Sequence, residues 1–321
     1  MTTRRAFIPM AVGATSSFIS CHPPVAGAGP PGTSTVAILR ASSYSADLAD
    51  RMFRGISMCG LEVRGKRVLL KPNLVEFDRS APINTDVAVV AAAVEVFERL
   101  GASDVLIGEG PGHRRDTSAL TEQAGYRSGI PRFERRFTDL NRDDVSPLSR
   151  FADLPKIFLP DTALRADLIV SVAKMKTHHW AGATLSMKNL FGLVPGAVYG
   201  WPKNKLHFIG IDRSVAELHR TFPRTFGIVD GITGMDGNGP IQGNPRQSNV
   251  LVMGRDLVAV DATCCRIMGI DPERIEYLRL ASARGHVQES RIEQRGESIS
   301  SARIEYRLLP RMAHLRMNSS S

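Results

Sequence analysis

The residues best suited to chemistry crowd into one stretch, Lys174 to His207, which reads KMKTHHWAGATLSMKNLFGLVPGAVYGWPKNKLH. It holds three histidines, five lysines and both tryptophans of the chain. A packed core does not need that mixture, and a solvated loop would not spend two Trp and a Phe. Polar side chains held against aromatic walls are what a small-molecule pocket requires. If Thr184 to Phe191 is helical, Ser186, Lys188 and Asn189 lie near one another. Lys188 then sits among Leu185, Met187, Leu190 and Phe191, where partial burial would lower its pKa and make it a nucleophile or base. His178, His179 and His207 could carry protons or ligate a metal. Their spacing is not a zinc signature, so the metal stays open, with His207 its candidate ligand. Asn189 and Lys203 are candidate ligand contacts in the same stretch.

Further candidates follow short apolar runs. In Lys71-Pro72-Asn73, Pro72 biases Lys71 to extended geometry, so Lys71 and Asn73 can face a cleft from a fixed turn. Gly108-Glu109-Gly110-Pro111-Gly112-His113-Arg114 has three glycines that permit close backbone approach to a ligand. Glu109 and His113 could supply acid–base groups there, and Arg114 an anion contact. The Lys-Ser/Thr ending of a phosphate-binding loop is absent. Asp230 to Pro240, DGITGMDGNGP, reads as a glycine-rich active-site turn offering Asp230 and Asp236; it lacks the closing Glu of a calcium loop. The vicinal Cys264-Cys265 reads as buried rather than redox-active.

The elements that must position these residues form a repeating pattern. Apolar strand-like runs occur at residues 35–40, 67–71, 104–108, 167–172, 226–229 and 250–253. Amphipathic helical stretches separate several of them, at about 46–58, 86–100 and 256–268. Thr85 or Asp86 can cap the second, and Gly101 stops it. This alternation predicts an α/β fold: a mostly parallel sheet with helices on both faces, and ligand loops at the strand carboxyl ends.

The 321 residues can bury a sizeable core. With 43% hydrophobic and 23% charged residues, the composition excludes long disorder and a disulfide-built miniprotein. The net charge is +9, spread along the chain without a basic stripe interleaved by aromatics. Nucleic acid is therefore not expected, and a small anionic ligand is the better partner. Thr3-Arg4-Arg5-Ala6-Phe7-Ile8, followed by a weakly apolar segment, fits a twin-arginine signal. The expected organisation is a signal peptide over 1–28, a linker over 29–34, the α/β domain over 35–290, and a polar, Arg-rich peripheral segment over 291–321. The twin-arginine export machinery would be a partner and the location periplasmic. Phe18-Ile19-Ser20-Cys21 offers an alternative, lipidated start at Cys21. No spanning helix is expected in the mature chain.

KPNLV, GEGPGHRRDT, VAKMKTHHWAGATLSMKNLFGLVPG, YGWPKNKLH, DGITGMDGNGP and DLVAVDAT together resemble the family catalogued as domain of unknown function 362 (DUF362), over roughly residues 35–285. Some members carry a ferredoxin-like module. The cysteines here, at 21, 59, 264 and 265, do not provide one, so no iron–sulfur cluster is expected. A second, fainter resemblance is to the catalytic domain of the nickel-pincer lactate racemase family. There a His-x-x-Ala-Gly stretch leads to a cofactor-tethering Lys, a Pro-Gly and a nickel-binding His. Here His178 to Gly182 leads to Lys188, Pro195-Gly196 and His207, and Gly112-His113-Arg114 is similar to that family's Thr-His-Arg loop. Ser186-Met187 stands where that family has paired glycines, and the spacing to the last His is longer. The resemblance implies a nickel-type cofactor at Lys188 and His207 and a racemase- or isomerase-like activity.

The expected function is an exported enzyme acting on a small organic anion. Lys188 would hold substrate or cofactor, His178 or His113 would move protons, and Lys71 and Arg114 would fix the anion. A periplasmic ligand- or metal-binding protein without turnover is one alternative. A metal-dependent hydrolase built on Glu109, His113, Asp230 and Asp236 is another.

Overall fold

The computed structural model describes residues 32–112, 116–200 and 203–318. Eleven strands are present among them: β1 Ser34–Arg40, β2 Arg67–Pro72, β3 Asp104–Glu109, β4 Phe137–Asp139, β5 Val145–Phe151, β6 Leu154–Pro160, β7 Leu168–His178, β8 Gly182–Thr184, β9 Thr225–Asn238, β10 Gln242–Gly254 and β11 Ile292–Gly296. Nine build one sheet in the order β11-β1-β10-β9-β7-β2-β3-β4, with β8 paired to β7. β5 and β6 form a separate hairpin. The run β9-β7-β2-β3-β4 is parallel throughout. The pairs β1–β10, β9–β10 and β7–β8 are antiparallel.

Period-two alternation sorts side chains to the two faces. Val68, Leu70, Val170, Val172, Ile228 and Leu251 point to one core, covered by the helices Leu48–Met58 and Val87–Arg99. Leu69, Ile169, Ala173, Val229, Val250 and Val252 point to the other, covered by Ile211–Thr221, Leu257–Ile267 and Glu276–Ala281. Strands covered on both sides cannot alternate apolar with polar, which explains the continuous apolar runs. The α/β fold with helices on both faces is therefore as expected. The expected helix start is Asp86: its side chain accepts from Ala88 N at 2.9 Å, and Gly101, at φ +82°, ends the last turn.

Two stretches differ from the reading of their composition. Asp230 to Asn238 is the second half of β9, a long strand rather than a turn. Its glycines admit neighbours. A Cβ at Gly234 would lie 2.0 Å from the Tyr306 hydroxyl, and one at Gly239 would lie 2.1 Å from the Thr177 carbonyl oxygen. Residues beyond 290, polar enough to read as peripheral, join the sheet: β11 pairs in parallel with β1. Tyr306 is fully buried, sharing a 2.8 Å hydrogen bond with Ser248.

β2 has β3 on one side and β7 on the other: the chain runs outward from β2 to β3 and β4, then returns to add β7 on the opposite side. Such a reversal opens a crevice at the strand carboxyl ends.

Candidate functional site

A cavity of about 690 Å³ lies at that crevice. Its walls come from the carboxyl ends of four strands and the residues that follow them: Lys71 and Asn73 (β2), Glu109 and Gly110 (β3), Lys176, His178, His179 and Trp180 (β7), and Asn238 and Pro240 (β9). Lys188 and Asn189, on the short helix Ser186–Asn189, close one side with Phe191, Lys203 and His207. Trp180, 63% exposed, hangs at the mouth.

The floor is a buried ion pair. Lys71 Nζ donates to Glu109 Oε2 (2.6 Å), to the Pro72 carbonyl (2.6 Å) and to Asn189 Oδ1 (3.0 Å), which uses all three of its protons. Glu109 Oε2 also accepts from Leu74 N at 3.1 Å and Oε1 from Gly110 N at 2.8 Å. Asn189 Nδ2 donates to the Lys71 carbonyl and to Ser171 Oγ. Burial pushes the Lys71 ammonium down, and the Glu109 charge opposes it. This network fixes three chain segments to one another; its atoms are already committed.

Three other lysines face the cavity without a carboxylate in ion-pair contact among the described residues: Lys176, Lys188 and Lys203. Lys176 Nζ donates to the Ile83 carbonyl (2.7 Å) and the Pro240 carbonyl (3.3 Å). Lys203, held in the left-handed region at φ +68°, donates to the carbonyls of Gly110 (2.5 Å) and Phe191 (3.0 Å). Lys188 Nζ lies 5.2 Å over the Phe191 ring and has no hydrogen-bond acceptor among the described residues. Burial lowers all three. Lys176 falls well below the usual lysine range, with Lys188 and Lys174 adding like-charge repulsion. Lys203 falls to about 7, opposed chiefly by Glu109. Lys188 falls to about 8, opposed by Asp212 and reinforced by Lys71.

The histidines have fixed tautomers. His178 Nδ1 accepts from the backbone N–H groups of Trp180 and Ala181, both at 3.1 Å, so its proton sits on Nε2. Burial and the Lys188 charge hold it well below the usual histidine range, so it stays a neutral Nε2–H donor. His179 Nδ1 lies 2.8 Å from the Gly239 carbonyl and His207 Nδ1 3.3 Å from the Lys203 carbonyl. Each donates from Nδ1, so Nε2 is the bare nitrogen of its neutral form. The rings form a row: His178 stacks on His179 at 4.9 Å, His179 meets Trp180 edge-on at 4.6 Å, and His207 touches both Trp180 and Phe191. Asn73 Oδ1 and Thr184 Oγ1, on residues of the same walls, are buried without a hydrogen-bond partner among the described residues. Cations, one fixed N–H donor, orphaned polar atoms and an aromatic row together suit an organic anion with a flat or apolar part.

The family model described as Domain of unknown function (DUF362) matches residues 68–266, more than half of the chain. The chain belongs to the DUF362 family. It is 29% identical over 257 residues to the thylakoid-associated protein sll1697 of Synechocystis sp., covering 75% of this chain and 76% of that one. Similar solved structures include the lactate racemase apoprotein from Thermoanaerobacterium thermosaccharolyticum, at TM-score 0.47 and 12% identity, covering 74% of this chain and 57% of that one. A Thermotoga maritima protein matches at TM-score 0.39 and 13% identity, over 77% of this chain and 61% of that one. The DUF362 chain thus spans about three-fifths of the length of these solved chains.

Of the residues singled out by type and spacing, Lys71, Asn73, Glu109, His178, His179, Lys188, Asn189, Lys203 and His207 meet in this DUF362 cavity. Asp230 and Asp236 do not line it. Asp230 is fully buried and accepts from Lys174 Nζ (2.8 Å), Asp86 N (3.1 Å) and the Tyr44 hydroxyl (3.2 Å). Asp236 is held by Arg307 through Nη2 and the backbone N, both at 3.1 Å. A hydrolase constellation drawing on both is therefore not assembled. His113, Arg114, Arg4, Arg5 and Cys21 lie outside the described residues.

The metal reading meets a donor set that does not fit. Two bare imidazole nitrogens face a wall of lysines, and Glu109 is already spent. Among the described residues no group of three or more His, Cys, Asp or Glu could hold a metal ion.

Sequence reasoning missed Lys176, Arg311 and the role of Asp261. Lys176 repeats two residues after Lys174 inside an apolar strand, which places both on one face; a lysine buried so needs a reason. Arg311 reaches the mouth from the segment set aside as peripheral. Asp261 is buried, accepts from Ser186 N (2.8 Å), Met187 N (3.0 Å) and the Ser186 hydroxyl, and so seats the start of the helix bearing Lys188. Burial pushes Asp261 up to about 7.

Proposed function

We propose that this DUF362 protein is an enzyme that binds a small organic anion in the cavity, with Lys188 as its reactive amine and His178 as a fixed hydrogen-bond donor. The observation that carries this is the charge imbalance: four lysines against one glutamate, and that glutamate already paired. Like charges gathered in a low-dielectric cavity repel, and an anion of suitable size relieves the repulsion. Lys176 and Lys203 would hold the anionic group, Asn73 Oδ1 and Thr184 Oγ1 would meet polar substituents, and the aromatic row would carry the apolar part.

Mono- and dicarboxylates and phosphate esters, screened by thermal shift at low salt, are expected to raise Tm. Amines and neutral analogues of equal size are expected not to. Lys203→Met should abolish the shift, because it removes one of the two cations assigned to the anionic group; in the unliganded protein, relief of a buried charge lacking an ion-pair partner is set against the loss of two hydrogen bonds to the Gly110 and Phe191 carbonyls. Equal stabilisation by neutral analogues would refute the anion reading.

We place the protein outside the cytoplasm, on the strength of Thr3 to Ile8 and the apolar segment that follows. Among the described residues no helix is long and apolar enough to cross a membrane. A tagged full chain should fractionate with the periplasm, and Arg4→Lys with Arg5→Lys should strand it in the cytoplasm. Unchanged fractionation of the double variant would refute this route.

A further inference from the structure

The proposed anion reading leaves open which chemical class of anion the site transforms, and the differing states of its lysines narrow it. Lys71 spends every Nζ proton on protein oxygens; Lys176 and Lys203 each donate to two carbonyls. Lys188 has no acceptor among the described residues, stands on a helix whose first turn is seated by Asp261, and opens on the cavity. An amine held in place, resting on the Phe191 ring and hydrogen-bonded to no described residue, has its nitrogen free for a ligand. Burial disfavours its proton; of the charges acting on it, Asp212 opposes that shift and Lys71 reinforces it, and it is in turn the largest charge acting on His178. His178 offers an Nε2–H that cannot become a lone pair, because two backbone N–H groups fix the tautomer. A free amine beside a fixed N–H donor, with lysines beyond, is the arrangement that takes a carbonyl group adjoining an anion.

We propose that Lys188 forms an imine with a carbonyl-bearing organic acid, of the 2-oxo acid class, seated in this cavity. The neutral amine attacks the carbonyl carbon, forming the C–N bond while the π bond opens onto oxygen. His178 Nε2–H hydrogen-bonds that oxygen during the attack and keeps its own proton. Both amine hydrogens leave with the oxygen as water, and the C–O bond breaks as C=N forms. No oxidant, reductant or metal is consumed. The carboxylate is held by Lys176 and Lys203, and the remaining substituent lies along His179, Trp180 and Phe191.

The inference rests on the anion reading, and the test separates the two. The full chain is incubated with glyoxylate, pyruvate or phenylpyruvate and sodium cyanoborohydride, then mapped by peptide mass spectrometry. A parallel thermal shift uses the same acids without reductant. The expected result is one reduced adduct on Lys188, lost in Lys188→Arg and Lys188→Met and suppressed by a 2-hydroxy acid that cannot form an imine. Both variants remove no hydrogen bond, and a retained Tm confirms folding. A Tm rise with no adduct, or adducts spread over surface lysines and unchanged in Lys188→Arg, would overturn the imine and leave the anion reading standing. Neither adduct nor Tm rise would overturn both.

Discussion

Gly192→Ala is expected to be among the most damaging single methyl groups that can be added to this protein. A Cβ there would lie 2.0 Å from Glu109 Oε1, 2.3 Å from Lys71 Cε and 2.4 Å from Lys71 Nζ. Neither side chain can retreat. Lys71 and Glu109 are almost wholly buried, and every polar atom of the pair is tied to Leu74, Gly110, Pro72 or Asn189. The methyl group must break the pair or move the Phe191–Leu193 backbone off it. Separating one partner of a buried pair costs ~3–5 kcal/mol. The urea midpoint should fall accordingly, and binding of a stabilising anion should go with it, since Phe191 and Lys203 are joined to the same turn. Glu109→Gln should also lower the midpoint but spare the backbone path, so it is expected to fall between wild type and Gly192→Ala. An unchanged midpoint in Gly192→Ala would show that the turn does not cross over the pair at this distance.

That glycine was not legible as a constraint, and the reason is general to this fold. Strands at 67–71, 104–108 and 167–172 were readable because burial on both faces removes polar residues from them. The helix starts at Asp86 and Asp256 were readable because a cap is a local bond, here Asp86 to Ala88 N and Asp256 to Val258 N. What failed was long-range. Gly192 meets residues 83 and 121 positions away, and Lys174 meets Asp230 across 56. The sequence shows charges of both signs but not which cancel. Asp230 and Asp236 therefore looked as available as Lys188, although they are spent on Lys174 and Arg307. The glycines of β9 looked like a turn because the bulk they avoid, Tyr306, arrives from the far end of the chain.

The stability of the unliganded protein is expected to rise as pH is raised from about 7 to about 9, a window in which surface lysines, protonated in both states, give no slope. In the unfolded chain these lysines keep their protons to about pH 10. In the folded protein Lys203 is held at about 7 and Lys188 at about 8, with Lys176 and Lys71 also lowered. Across that window the unfolded state binds more protons, so the free energy of unfolding increases with pH. The groups that oppose act at its two edges. Asp261, raised to about 7, costs stability as pH climbs from the unfolded carboxylate range toward 7. The buried thiols Cys59, Cys264 and Cys265, all pushed up, cost stability from about pH 8 upward, as unfolded thiols ionise near about 8.5, and so soften the rise at the top of the window. A bound anion changes the sign of the cavity's field, raises the lysines and restores their protons. Urea midpoints at constant ionic strength should therefore climb from about pH 7 to 9 without ligand and flatten with a stabilising acid present. Calorimetry at about pH 8 should show net proton uptake, as a binding enthalpy that depends on the ionisation enthalpy of the buffer. Midpoints that fall over this range, with a buffer-independent enthalpy, would mean that the lysines keep their protons in the empty cavity. The Lys188 amine would then be protonated at neutral pH, and the nucleophilic reading would lose its footing even if anions still bind.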